Sequence, residues 1–113
     1  MPNQRDIVEV PYYLPQGRPE MHPAIVISNK AIHEIEDIFY VVMCSTVQDP
    51  AEFSMELTPD MINGNPMRER TYIKTHLIQS YQMNEVAALR GSVTIQAFQR
   101  IREQIINSLS ETE

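Results

Sequence analysis

The segment from Arg5 to Ser28 constrains the fold more than any other part of the chain. Two β-branched runs, Ile7 to Val10 and Ala24 to Ile27, flank a polar stretch punctuated by Pro15, Gly17, Pro19 and Pro23. Proline fixes φ and removes a backbone donor, and glycine opens the left-handed region, so such a stretch interrupts regular structure. The local expectation is strand, exposed loop, strand, with Arg18 and His22 carried in the loop.

Further short apolar runs follow, each bounded by turn residues, as in a small barrel or compact sheet. Ile38 to Cys44 is continuous enough for a strand buried on both faces. Phe53, Met55 and Leu57 alternate with polar residues, which predicts a half-exposed strand. Thr58-Pro59-Asp60 ends it, and Asn63-Gly64-Asn65-Pro66 marks a turn. Around Tyr72 to Ile78 the alternation sets Ile73, Thr75 and Leu77 against Tyr72, Lys74 and His76, so Lys74 and His76 are expected to project together. Met83 to Leu89 reads either as helical turns closed by Gly91 or as the lead into a strand at Leu89 to Val93. From Thr94 the period is helical: Phe98, Ile101, Ile105 and Leu109 share one face, Thr94 is the expected N-cap, and the helix spans about 94–109. The Ser-Glu-Thr-Glu tail is expected to fray.

With 113 residues and 42% hydrophobic content the chain can bury one core, so 1–113 is read as one domain. It lacks the apolar run of about 18 residues that crosses a bilayer and an apolar leader, so a cytoplasmic protein without membrane contact is expected. Cys44 is the only cysteine; its Val-Val-Met-Cys setting predicts a small buried apolar residue. The three histidines lack ligand spacing, so neither metal nor other cofactor is expected. Net charge is −6, which opposes simple electrostatic capture of nucleic acid. Against that average, Arg68, Arg70, Lys74 and His76 cluster within one short stretch, whereas Glu34, Glu36 and Asp37 crowd a separate connection around His33, read as solvated.

The strand Asp-Ile-Val-Glu-Val, the loop, and the strand His-Pro-Ala-Ile-Val-Ile-Ser together resemble the opening of the MazF/PemK-type toxin endoribonucleases. Val-Val-Met-Cys-Ser-Thr, Phe-Ser-Met-Glu-Leu, Tyr-Ile-Lys-Thr-His-Leu-Ile, Arg-Gly-Ser-Val and the terminal helix extend the likeness over nearly the whole chain. The resemblance implies a mainly β fold with a C-terminal α-helix, a small SH3-like β-barrel of the MazF/PemK/CcdB type. It also implies a homodimer, an antitoxin laid across an RNA groove, and metal-independent cleavage of single-stranded RNA to a cyclic phosphate. Two positions depart from the family pattern. His22 stands where an active-site arginine is usual, and Arg5 where glycine usually precedes the aspartate.

Cleavage by the RNA's own 2′-hydroxyl needs a base, an acid for the leaving 5′-oxygen, and donors for the charged phosphorane. By register with the family, the arginine falls on His22 and the hydroxyl residue on Ser45, with Thr46 beside it. Imidazole can exchange a proton near neutrality but lacks the guanidinium fork, which Arg18 supplies if the loop folds back. Arg68, Arg70, Lys74 and His76 are the candidate contacts to the RNA backbone, and Tyr12 and Tyr13 candidate base-stacking residues. Ordinary structural roles compete at each position: a strand-end hydroxyl, a solvated strand face, a barrel-edge tyrosine. The rival function is a catalytically degenerate member of the same fold, acting as a protein-binding module or non-nuclease toxin; an unrelated adaptor barrel ranks third.

Overall fold

The computed structural model describes residues 1–13 and 17–111. The expected turn residue Pro15, and the last two residues of the tail, lie outside the described residues. Seven strands form one sheet: β1 (Asp6–Tyr12), β2 (Glu20–Val26), β3 (Phe39–Ser45), β4 (Ser54–Glu56), β5 (Ile62–Asn63), β6 (Tyr72–Tyr81) and β7 (Ala88–Val93). Two helices accompany them, α1 (Lys30–Glu36) and α2 (Ile95–Leu109).

The sheet order is β4-β6-β3-β2-β1-β7-β5, and its pairings are antiparallel. Its two edge strands, β4 and β5, are joined only by residues 57–61. A residue spans at most about 3.5 Å, so this link holds the edges within roughly 20 Å of one another. The sheet therefore curls into a half-barrel, and α2 lies on its inner side. Ile7, Ile25, Val42, Cys44 and Ile73 meet Phe98, Ile101 and Ile105 of the helix in one buried cluster. Val8, Val10, Ala24, Val26, Phe39, Val41, Met43 and Tyr81 form a second cluster on the opposite face. Both faces of the β1–β3 region are thus covered, which explains the unbroken apolar run of β3.

Helix α2 begins at Thr94, whose hydroxyl accepts from the Ala97 N–H at 3.1 Å. Met83 to Leu89 satisfies both readings in turn, with a 3-10 turn at Met83–Glu85 followed by β7. Gly91 holds φ at +109°, and a Cβ there would stand 2.6 Å from the Asn63 carbonyl oxygen of the paired β5. Arg5 holds φ at 81°, a region glycine enters without strain, and its Nη1 donates to the Val93 carbonyl at 2.9 Å.

Three expectations are corrected. The second strand starts at Glu20, not Ala24, so His22 belongs to a strand and pairs with Val10. The connection around His33 is a helix, capped by Asn29, whose side chain accepts from the Ile32 N–H at 3.1 Å. That helix exposes Ile35 and buries His33, the reverse of what hydropathy favours. Finally, β6 is not a regular alternating strand. Val42 pairs with Ile78 while Met43 pairs with Lys74, so residues 75–77 bulge and the two faces exchange. Ile73 and Ile78 consequently reach the same cluster, and Leu77 reaches the other.

Candidate functional site

The tip of the β1–β2 ribbon meets the end of β3, and a missing backbone donor shapes the junction. Ile27 N–H donates to the Tyr40 carbonyl at 2.9 Å, and Ile25 pairs with Val42. Antiparallel pairs of one hydrogen-bonding type recur every second residue, which makes Pro23 opposite Cys44 the next such pair. Proline has no N–H to give. The Cys44 carbonyl is met instead by the His22 side chain, whose Nδ1 lies 3.2 Å away. A carbonyl oxygen only accepts, so Nδ1 carries the hydrogen and donates.

Two further contacts fix the imidazole. Tyr12 stands edge-on to it, with ring centroids 5.5 Å apart. The Glu20 carboxylate lies 3.3 Å from Nε2, on the solvent side. The ribbon itself is tied down by Tyr81, whose hydroxyl donates to the Pro11 carbonyl at 2.7 Å. Burial, with Glu85 next, pushes the Tyr81 phenol up to about 12, so it stays a donor.

The β2–β3 pairing ends at Ala24 and Met43; extended by two residues it sets Ser45 opposite His22, and alternation along the strands places both on the face of Val10 and Met43. Its Oγ accepts from the Val47 N–H at 3.0 Å, which orients the hydroxyl at the strand end. Thr46 points to the other face, where it lines a groove of about 750 Å³ together with Arg68, Arg90, Met21 and Pro23. Arg90 Nε donates to Glu9 Oε1 at 3.2 Å in that groove. The thiol of Cys44 is fully buried and pushed up to about 12 by burial and then by Glu9, so it is not a nucleophile.

The remaining sequence candidates are dispersed. Arg18 is exposed and, among the described residues, makes no hydrogen bond or ion pair with His22 or any other residue. Arg70 projects into solvent, 3.8 Å from Glu56. Lys74 is mostly buried and engaged in an ion pair with Asp49. His76 sits in the β6 bulge with its ring on Phe53, centroids 4.4 Å apart, and its buried Nδ1 has no partner among the described residues. Lys74 and His76 therefore do not share a solvent face with Arg68. Tyr13 is exposed, and its hydroxyl donates to Glu85 at 3.3 Å. Among the described residues, no three His, Cys, Asp or Glu side chains gather as a metal site.

Glu20 is a neighbour of His22 that the sequence candidates do not include. A signal for it was present: residues two apart in a strand share a face, so a strand begun at Glu20 sets its carboxylate beside His22.

The model of the PemK-like, MazF-like toxins of type II toxin-antitoxin systems matches residues 3–109. The chain belongs to that family. No curated protein matches it in sequence. Its half-barrel is similar to that of an endoribonuclease in complex with its cognate antitoxin from a Mycobacterial species, with TM-score 0.76 and 17% identity, covering 100% of this chain and 99% of the other. Another endoribonuclease from Mycobacterial species gives TM-score 0.74 and 16% identity over 96% of this chain and 90% of the other. A MazE-MazF structure from Deinococcus radiodurans gives TM-score 0.73 and 12% identity over 98% of each chain. At these identities the likeness is one of fold. No helix of this PemK-like chain is long and apolar enough to cross a membrane among the described residues.

Proposed function

We propose that this PemK-like toxin is a metal-independent endoribonuclease that cuts single-stranded RNA, such as mRNA, in the cytoplasm. The observation that carries the reading is the His22 imidazole, fixed on the Cys44 carbonyl and facing the same side as Ser45. A held imidazole can deliver a proton to a leaving 5′-oxygen, and a neighbouring hydroxyl can donate to a phosphate oxygen as charge builds. In this reading His22 is the acid and Ser45 the phosphorane donor. Thr46 and Arg68 line the groove on the opposite face, where they hold the strand away from the cut, and Arg18 approaches from the loop. Arg70 adds only a solvated cation, since an exposed pair at 3.8 Å binds it weakly. Lys74 and His76 contribute to folding instead.

The chain works as one domain over residues 1–113 and as a homodimer, to which exposed Tyr13 and Met21 can contribute contact area. Its protein partner is a cognate antitoxin that occupies the RNA groove. Structures of similar fold with an antitoxin bound support this assignment.

Two observations favour a second reading. Imidazole replaces the guanidinium fork at the family's arginine position, and Lys74, a neighbouring candidate cation, is engaged by Asp49. A non-nuclease toxin that binds a protein target would tolerate both. Incubating the purified protein with long single-stranded RNA in the presence of a chelator separates the two. Discrete fragments support the endoribonuclease; intact RNA, with a protein target recovered by the toxin, supports the binding module.

A further inference from the structure

The ribonuclease reading assigns an acid and a phosphate donor and leaves the base unnamed. We infer that Glu20 is that base, and that Glu20 and His22 form one acid–base pair; the inference rests on the endoribonuclease reading and deepens it.

Nδ1 is committed to the Cys44 carbonyl, so Nε2 is the only nitrogen of His22 that a substrate can reach. The group already at Nε2 is the Glu20 carboxylate, 3.3 Å away. Both ring nitrogens thus face atoms that only accept, so each of these contacts is one in which the ring nitrogen donates. Among the described residues, the titratable groups in contact with the ring are Glu20 from its own strand and the Tyr12 phenol from β1, and β3 presents the Cys44 carbonyl. A carboxylate that lacks its proton and an imidazolium that holds one are the two forms that phosphodiester cleavage by an internal hydroxyl consumes.

The pair is also able to part. The Glu20 side chain is 65% exposed and that of His22 21%, so the ring is held while the carboxylate is free to swing. An ion pair this exposed costs little to open, on the order of 0–1 kcal/mol. A phosphodiester entering between them meets the carboxylate on one side and Nε2–H on the other.

Glu20 takes the proton of the ribose 2′-hydroxyl, the 2′-oxygen forms a bond to phosphorus, and the bond from phosphorus to the 5′-oxygen breaks. That oxygen leaves with the proton from His22 Nε2. The products are a 2′,3′-cyclic phosphate and a 5′-hydroxyl, with Glu20 protonated and His22 neutral. Once the products depart, the proton passes from Glu20 to Nε2 across the gap that separates them in the free protein, and the starting forms return. No oxidant, metal or second reactant enters.

The test is the pH profile of RNA cleavage by the full chain and its Glu20 variants, on one single-stranded oligonucleotide with chelator present. Wild type is expected to give a bell, with the acidic limb set by the carboxylate and the basic limb by the imidazole. Glu20→Gln is expected to lower kcat by about 10²-fold or more, to remove the acidic limb, and to leave KM nearly unchanged. Glu20→Asp keeps a carboxylate and is expected to restore part of the rate together with the limb. Because Glu20 is exposed, both variants should melt with the wild type. Wild-type kcat and an intact bell in Glu20→Gln would overturn the assignment and leave the ribonuclease reading standing. Absence of cleavage by the wild-type protein would overturn that reading, and the base assignment with it.

Discussion

The Nδ1 nitrogen of His22 lies 3.2 Å from the Cys44 carbonyl oxygen, beside the point in the β2–β3 ladder where Pro23 withholds the backbone donor. Proline and histidine therefore act together: one leaves a carbonyl open, and the other is oriented by it. Pro23→Ala restores a backbone N–H that competes for that carbonyl and releases the ring. Cleavage is expected to fall by up to about 10²-fold, the cost of misplacing a catalytic group by roughly 1 Å. The melting temperature should stay close to that of wild type. Unchanged cleavage in Pro23→Ala would show that the ring is oriented by something else.

Gly91 carries the pairing of β7 with β5, one edge of the curled sheet. Its φ of +109° and the Asn63 carbonyl 2.6 Å from an added Cβ allow no other residue without movement of backbone. Gly91→Ala is expected to destabilise the fold by about 2 kcal/mol or more, read as a shift in the denaturant midpoint at unchanged slope. A shift under about 0.5 kcal/mol would contradict the strained pairing, since that is the range of featureless surface changes.

His33 gives stability a dependence on pH. Its ring is buried beneath α1, and Nε2 lies 2.7 Å from the Ser28 hydroxyl, which in turn accepts from the Tyr40 N–H. Burial holds its pKa below the ordinary 6.5, with the N-terminal charge a smaller cause in the same direction. The unfolded chain therefore binds the proton first. Stability from this group is complete above 6.5 and is lost as the pH falls from there through the depressed folded value. Denaturation midpoints taken from about pH 7.5 down to about pH 5 should decline in wild type and decline less in His33→Gln, which titrates nowhere in that range. Equal declines in both proteins would exclude His33 as the source.

Periodicity made the curled sheet and the terminal helix legible, because β3 and α2 each follow one rule over several residues. Thr94 and the Phe98-Ile101-Ile105 stripe marked the helix as it stands. Helix α1 escaped because it inverts hydropathy, burying His33 and exposing Ile35. The face of β6 escaped because a bulge at residues 75–77 is set by its partner strand and leaves no local mark in composition. Arg5 was visible as a departure from a family pattern, and its φ of 81° now supplies the reason glycine is usual there. Around the candidate site, it is the resemblance that points to His22 and Ser45. Glu20 was hidden by a boundary: a strand that runs through Pro23 reads as loop, so the side chain two residues before His22 was never set beside it.

The central claim is that the His22 junction cuts RNA through the RNA's own hydroxyl, and the ends of the products test it most directly. Mass spectrometry of fragments made with chelator present should find 2′,3′-cyclic phosphate on one side of each cut and a 5′-hydroxyl on the other, with both absent after treatment with His22→Ala. Fragments carrying 3′-hydroxyl and 5′-phosphate ends, or cyclic phosphate ends made equally well by His22→Ala, would contradict the account.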